Sequence, residues 1–517
     1  MVVQGRRLLW QAIIGAGLAD ITLAWDEAVL GGLLLTPSFQ EAMHRPSVTT
    51  ISMISSAFIL GAWLGSSLVI FVFGISLGRR TWLLIGNVVG IIGTLIAVTS
   101  FSTGQMIAGR VLLVSVAQNT VYSAINTIKG IGAGFVKTTA AIYVSEMVIE
   151  TDKRSSAVIY LVGIASLGSA SAYWLDFGMV FAHGQVVWRF PVAFLICFAL
   201  ASTALLYPLP DSPRYYYASG RDTEADKVLG RLCVDLSEKL FDRTKSEVLA
   251  SLELERRNAS LSFADLFWDN SSTQAGRRIR IGVIVQSLQY LQGHSFIFYY
   301  MGTVFEKYLG LPPLTASGLS GAASTGEAIA TWMVLPFVER FGRRTWLILG
   351  AILQTLFLAA VTGLAPFSGP RTGAAGAAMI FGYCIALGAT WGPIPGLYSA
   401  EVMPLRYRQL GYALAASANW ACQFVTVFAG PIAYADGGKH GWTTWIWFLV
   451  FCAVSVVYAY FFCPETRGLS LEEIDLVFLS KELKETDAAR VLVRGADTSS
   501  SITEMGEATF TAKHDGV

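Results

Sequence analysis

Gly78–Gly86 reads GRRTWLLIG, and Gly342–Gly350 reads GRRTWLILG. A basic knot that runs twice into the same apolar segment restricts the chain to two copies of one folding unit. Two further echoes follow in the same order and at similar spacings. Tyr143-Val144-Ser145-Glu146-Met147 returns as Tyr398-Ser399-Ala400-Glu401-Val402-Met403, and Pro210-Asp211-Ser212-Pro213-Arg214 as Pro464-Glu465-Thr466-Arg467. One short repeat arises easily by chance, but three in register mark a duplication.

Long apolar runs separate these polar knots. Apolar residues make up 54% of the chain and charged residues 14%, against roughly 25% charged in an ordinary soluble protein. A helix needs about 20 apolar residues to cross a bilayer. The runs 11–35, 48–74, 81–101, 105–149, 156–180, 187–208, 279–305, 313–338, 345–366, 372–400, 408–434 and 441–463 meet that length, six in each half. The class expected is an all-α membrane protein with 12 transmembrane helices. The fourth run is too long for a single crossing. The first is long enough to span and is read as a membrane helix rather than a cleaved signal.

Charge then sets the orientation. The net charge is +1, which gives no footprint for a nucleic-acid partner. Arg6, Arg7, Arg79, Arg80, Lys153, Arg154, Arg340, Arg343, Arg344, Arg406 and Arg408 all fall on one side if the spans alternate. By the positive-inside rule that side is cytosolic. The N-terminus 1–10, the 209–278 loop and the tail 464–517 fall there too, and the six-span halves are 11–208 and 279–463. The sequons at Asn258 and Asn270 then lie in the cytosol and stay unmodified. Residues 237–257 suit a surface helix, with Leu and Val at helical spacing among charges. The Ser-, Thr-, Gly- and acid-rich end, 490–517, suits disorder. Five of the six cysteines lie in apolar runs, which argues against a disulfide framework. No metal-ligand cluster, nucleophile triad or phosphate loop is present, so neither a cofactor nor an enzyme is expected.

Six motifs together resemble the sugar porters of the major facilitator superfamily, in their fungal style, over residues 15–475. They are Trp25-Asp26-Glu27-Ala28-Val29-Leu30-Gly31-Gly32, the paired GRR knots, Ser145-Glu146, Pro210-Asp211-Ser212-Pro213-Arg214, Glu401-Val402-Met403-Pro404-Leu405-Arg406-Tyr407-Arg408, and Pro464-Glu465-Thr466-Arg467-Gly468. The resemblance implies the major facilitator fold, with two pseudo-symmetric six-helix bundles around a central cavity. This superfamily is itself a standard illustration of paired repeats with a site at the midplane. The implied activity is secondary transport of a sugar-like solute by alternating access, coupled to protons, by a monomer in the plasma membrane with both termini cytosolic. The alternatives are a non-transporting nutrient sensor of the same fold and a facilitative carrier of a polyol or larger glycoside.

The resemblance also implies roles. Asp26 is a mid-span acid, which is a functional hypothesis by default. In the porters this acid takes up the proton, and Arg110 is its expected partner. At the cytoplasmic gate, Arg79, Arg80, Arg343 and Arg344 can anchor at headgroups or pair with Glu146 and Glu401, with Arg214 and Arg406 joining them. Glu339 precedes the second GRR knot, whereas Ile75 stands where the first copy should have its acid. In the sugar site, Gln289, Tyr299, Asn419 and Trp420 match the pattern, as does Tyr300. Five positions depart from it: Val162, Tyr290, Ser295 for an Asn, Glu327 for an Asn, and Gly396 for a Trp. Fewer amides and a missing Trp remove hydroxyl contacts and open space, and Glu327 adds a carboxylate. Ordinary glucose is therefore not the best fit, whereas a larger glycoside, a polyol or a derivative bearing a positive group is compatible. Glu327 can alternatively be a structural acid hydrogen-bonded to a neighbour such as Thr331, and His294 a packing residue.

The long fourth run has its own reading. In the porters the helix 4 arginine leads almost directly into a glycine-rich stretch. Here Leu113–Ile128 intervenes between Gly109-Arg110-Val111-Leu112 and Lys129-Gly130-Ile131-Gly132. Val114-Ser115 can be encoded by GTAAGT, a common intron start. The segment reads as an insertion in helix 4 left by an unspliced intron, the alternative being a real insertion that damages the helix because it follows Arg110.

Overall fold

The computed structural model describes residues 4–34, 36–68, 77–100, 127–149, 151–234, 238–257, 274–367, 369–403, 408–467, 474 and 478. Arg110, Arg406, Ile75, residues 113–126 of the expected insertion, both sequons and the 490–517 tail lie outside these residues, as does the side chain of Glu339.

The apolar runs form helices because lipid offers no partner for backbone N–H and C=O groups, which an α-helix satisfies internally. In the first half these are α1 (Gly5–Leu33), α2 (Val48–Leu68), α3 (Arg79–Val98), α4 (Thr127–Met147), α5 (Thr151–Met179) and α6 (Val186–Leu206). Among the described residues three helices follow before the second half: α7 (Pro213–Ala218), α8 (Asp222–Cys233) and α9 (Glu238–Arg257). The last matches the expected surface helix. The second half contains α10 (Ala275–Leu291), α11 (His294–Tyr299), α12 (Pro313–Phe341), α13 (Arg343–Leu364), α14 (Pro370–Ala389), α15 (Ile394–Val402), α16 (Arg408–Asp436) and α17 (Thr444–Phe462). Two spans are broken here: α10 and α11 make the seventh, and α14 and α15 the tenth.

The packing repeats with the sequence. In the first half α1 lies against α5, α2 against α4, and α3 against both α4 and α6; in the second, α10 lies against α16, α12 against α14, and α13 against both α14 and α17. The halves meet where α2 packs on α16 and α5 on α12, two contacts that exchange when the halves are exchanged. Trp63 Nε1 donates to Ser417 Oγ at 2.7 Å in the first interface, and Trp332 Nε1 donates to the Gly163 carbonyl at 3.0 Å in the second. The glycine-rich start of α4 lets backbones touch: a Cβ on Gly134 would lie 2.6 Å from the Ser66 nitrogen. Small residues commonly permit such close helix packing in membranes.

Hydropathy and burial divide the helices into layers. Eight described helical stretches are long and apolar enough to cross a membrane. Within that set the stretches containing α3, α6, α13 and α17 are only 28–39% buried, whereas α1 and α2 are 61% and 56% buried. The outer helices therefore present apolar side chains outward. On α17, Trp447, Val450, Val454, Val457 and Phe461 are all exposed along one stripe, a patch suited to lipid. Helices α4, α10, α12 and α16 fall outside the set of eight. Each carries amide or charged side chains toward the interior, and these build the site.

Candidate functional site

The two broken spans are stitched to each other. Helix α10 ends at Leu291, and Gly293 then adopts a positive φ of 96°, a conformation that favours glycine. The freed Gln292 carbonyl accepts from Tyr383 Oη of α14 at 3.1 Å, and Gln292 Nε2 donates to Ser455 Oγ of α17 at 2.6 Å. In the tenth span the break falls at Thr390–Pro393, where Pro393 and Pro395 cannot donate to a continuous helix. Gln289 Nε2 donates to the freed carbonyls of Trp391 at 2.7 Å and Gly392 at 3.1 Å.

Asn419 of α16 completes an amide cluster. Its Nδ2 lies 2.8 Å from Gln286 Oε1 and 3.3 Å from Gln289 Oε1. Trp420 is buried beside it, and Tyr299 is buried on α11. Across from the cluster, a Cβ built on Gly396 meets only Gln286 Nε2, at 3.8 Å. A methyl group at this position would make only an ordinary van der Waals contact. Gln289 also braces the fold, because its amide hydrogens hold the break in the tenth span. Gln286, three residues earlier on the same helix face, holds Asn419 as well.

Acids and one lysine converge between the halves. Asp26 is 4% exposed on α1 and is not without interactions. Its neighbour Glu27 lies within electrostatic range of Asp26, Ser295 and Lys137, and Glu327 of α12 lies within range of Glu27. Glu27 therefore looks across to the second half. Lys137 of α4 pairs with Asp20 of α1 at 3.6 Å, with the lysine side chain 48% exposed and the aspartate 6%. His294 stacks flat on Tyr290 at 5.2 Å, consistent with packing, yet its Nδ1 is buried with no partner. Thr331 does not serve Glu327 as its carboxylate partner: its hydroxyl donates to the main-chain carbonyls of Glu327 and Gly388, each at 3.0 Å.

At the basic end the duplicated motifs build the same network twice. Arg79 pairs with Glu146 at 3.1 Å, and Arg343 with Glu401 at 2.9 Å. Ser212 Oγ donates to Glu146 at 2.5 Å, and Thr466 Oγ1 to Glu401 at 2.7 Å. Asp211 accepts from the Arg80 backbone N–H at 3.1 Å, and Glu465 from those of Arg343 and Arg344 at 2.8 and 3.2 Å. Acids placed there cap the exposed N–H groups at the starts of α3 and α13 and complement their dipoles. Arg80 and Arg344 reach the carbonyls of Tyr207 and Tyr460, while Tyr143 and Tyr398 donate to Pro210 at 2.9 Å and Pro464 at 3.0 Å. Arg214 joins the first copy at 4.0 Å from Glu146.

Comparison with known proteins decides the family. The model for "Sugar (and other) transporter" matches residues 12–478. The chain belongs to the sugar transporter family. MFS-type transporter oryC of Aspergillus oryzae is 30% identical over 89% of this chain and 84% of its own. Sugar transporter STL1 of Saccharomyces cerevisiae is 28% identical over 92% and 82%. The proton:xylose symporter XylE bound to 6-bromo-6-deoxy-D-glucose superposes with a TM-score of 0.74 at 20% identity, over 91% of this chain and 99% of that one. XylE from E. coli in a partially occluded inward-open conformation gives 0.71 at 18% identity, over 89% and 99%. The fold is the major facilitator fold, and the chain is a transporter rather than an enzyme.

For a sugar transporter family member, the described residues split clearly. Gln289, Asn419 and Trp420 come together, Gly396 lies across from Gln286, and Ser295 and Glu327 lie in range of Glu27. The residues that motif matching does not reach are Asp20, Lys137, Gln286 and Gln423. A charged residue inside an apolar run signals Asp20 and Lys137, and the i, i+3 and i, i+4 spacings from Gln289 and Asn419 signal the two glutamines.

Proposed function

We propose that this chain moves a hydroxylated, sugar-like solute through the plasma membrane by alternating access, as a monomer with cytosolic termini, and couples it to protons. One observation supports this most: the Gln286–Gln289–Asn419 cluster sits where the seventh and tenth spans are both broken. Discontinuous helices at mid-depth are where transporters place substrate sites, and amides both donate to and accept from hydroxyls. The resemblance to proton-coupled porters and the burial of Asp26 support coupling through that acid, with Arg110 as its partner. The similarity to proteins named as a sugar transporter and a xylose symporter supports the substrate class.

The substrate contacts on this reading are Gln289, Ser295, Tyr299, Glu327, Asn419 and Trp420, with Gly396 leaving room for a larger solute. The Arg79–Glu146 and Arg343–Glu401 networks, with Arg80, Arg214, Arg344, Glu339 and Arg406, hold the cytoplasmic gate. The test is an uptake panel of hexoses, disaccharides and polyols in transporter-deficient yeast, with and without a pH gradient. Accumulation of one panel member that collapses with the gradient is expected. Asp26→Asn should abolish gradient-driven accumulation while preserving exchange of internal for external solute. Absence of uptake by a surface-expressed chain across the panel would favour the sensor and overturn transport.

A further inference from the structure

At the end away from the basic knots, the two halves close on each other over glycine. A Cβ added to Gly31 of α1 would lie 2.6 Å from Tyr173 Oη of α5 and 2.7 Å from the Phe298 carbonyl oxygen of α11. One added to Gly302 would lie 2.5 Å from the Gly31 carbonyl oxygen. Tyr173 Oη also donates to the Phe298 carbonyl. The first half, through α1 and α5, thus holds the outer part of the seventh span, which the break at Gly293 separates from α10.

An acid is sealed in beside this closure. Asp176 of α5, one turn after Tyr173, is 5% exposed, and neither of its carboxylate oxygens has a partner among the described residues. It lies hard against α1: a Cβ on Gly32 would sit 2.3 Å from Asp176 Oδ2 and 2.7 Å from its Cγ. The surrounding elements supply no compensating donor. Asp176 is the only charged residue of α5 after Arg154. Helix α1 carries Asp26 and Glu27, α11 His294, and α12 Glu327 with Glu339 and Arg340 at its far end, while Glu306 and Lys307 follow Gly302. Arg189 of α6 donates to the Ser100 carbonyl at 2.9 Å. None of these groups bonds to Asp176. Burying an unpaired carboxylate costs far more than burying the neutral acid, so this packing suits the protonated form and opposes the charged one.

We propose that Asp176 is a proton-binding site of the outer closure, separate from Asp26: its carboxylate takes one proton from the external medium, forming one O–H bond, as the seventh span closes on Gly31. Loss of that proton favours the opened form, in which water reaches the carboxylate. By linkage the closed form binds the proton more tightly, so acid outside favours closure. This second site rests on the alternating-access reading and adds to it a proton step at the outer gate.

The test reads the closure from outside, without solute. Met301→Cys puts a thiol at a fully buried position beside Gly302. Its labelling rate by a membrane-impermeant maleimide in intact yeast is divided by that of Phe181→Cys, at an exposed position, which cancels the reagent's own pH dependence. Between about pH 8 and about pH 5 the ratio should fall about fivefold or more, the low end of coupling between linked sites. Asp176→Asn, neutral at every pH, should hold the low ratio throughout. A flat ratio in the parent background overturns the site, and so does a pH dependence that survives in Asp176→Asn. If the Met301→Cys chain does not reach the surface, infrared spectra of the purified parent and Asp176→Asn chains decide. A carboxylic-acid C=O band present only in the parent and fading as pH rises keeps the site, and no such difference overturns it. Gradient-driven uptake with a flat ratio leaves transport standing and removes Asp176 from it. A ratio that follows pH in a chain that takes up nothing keeps the site and overturns transport.

Discussion

Glu401 receives Arg343 side-on, with Nε 3.1 Å and Nη2 2.9 Å from the same carboxylate oxygen. Both side chains are largely buried, and the pair links the start of α13 to the end of α15. Arg79 and Glu146 do the same for α3 and α4. Both networks join helices of one half, so each stiffens a bundle that can then rock as a body. Removing one partner of a buried pair leaves an uncompensated charge, at a cost of about 3 kcal/mol. Arg343→Ala and Glu401→Gln should each slow uptake strongly and lower the melting temperature, and the double variant should cost less than the two singles combined. Additive losses in that cycle would show that the pair is not a unit.

Gln289 braces the tenth span as well as joining the amide cluster. Replacing it with Leu removes the donor to the Trp391 and Gly392 carbonyls and one acceptor near Asn419. Each buried orphan costs about 1–3 kcal/mol. Gln289→Leu should therefore lower the melting temperature as well as weaken solute binding. Gln289→Glu, which keeps an acceptor but loses the donors, should not restore stability. A variant that binds poorly but melts like the parent would return Gln289 to a role in contact with substrate alone.

Gly396 stands across from Gln286 with no side chain of its own. Gly396→Ala meets nothing closer than 3.8 Å and should be tolerated. Gly396→Trp should fill the space and shift preference from disaccharides toward single hexoses by about tenfold or more, the range in which pocket bulk discriminates. Competition against labelled hexose measures this. An unchanged ranking would mean that the space beside Gly396 is not part of the solute path.

Much of this architecture was legible in the residues. The repeat at Gly78 and Gly342 implied the duplicated network at the basic end, and Asp211 and Glu465 occupy equivalent places in it because both follow the same proline. The breaks were less legible. Gly293 and Pro393 signal irregularity, but only the packed structure shows that Gln289 bridges from one break to the other. Lys137 was hidden for a different reason. A lysine in an apolar run has no assigned face until the neighbouring helices are placed, and only then does Asp20, far away in the chain, become its partner.

Sixteen codons' worth of chain, Leu113–Ile128, bears on whether the chain as written is active. The segment follows Arg110 and precedes the glycine-rich start of α4, whose backbone packs tightly against α2 and α3. If it is a retained intron, the abundant transcript should lack these codons, and the shortened chain should transport better than the full one. A transcript that reads through them in its abundant form would make the segment a true insertion.

Acidity should loosen the helices between the halves. Asp226 of α8 accepts from Tyr217 Oη at 2.5 Å and Lys245 Nζ at 2.9 Å, which ties α7, α8 and α9 together over the small apolar cluster of Tyr217, Ala225 and Leu252. Lys245 foremost, then Tyr217, holds the Asp226 carboxyl below its ordinary value. A depressed acid stabilises the folded form fully above the unfolded value of about 3.9, and that contribution fades as pH falls through the lower folded value. Hydrogen exchange in peptides from Asp222–Arg257, corrected for intrinsic rate, should therefore speed up below about pH 4. Asp226→Asn should exchange faster already at neutral pH and lose the acid-dependent step. The pair is partly exposed, so the step should also shrink in high salt. An acid-dependent step that persists unchanged in Asp226→Asn would place the titrating group elsewhere.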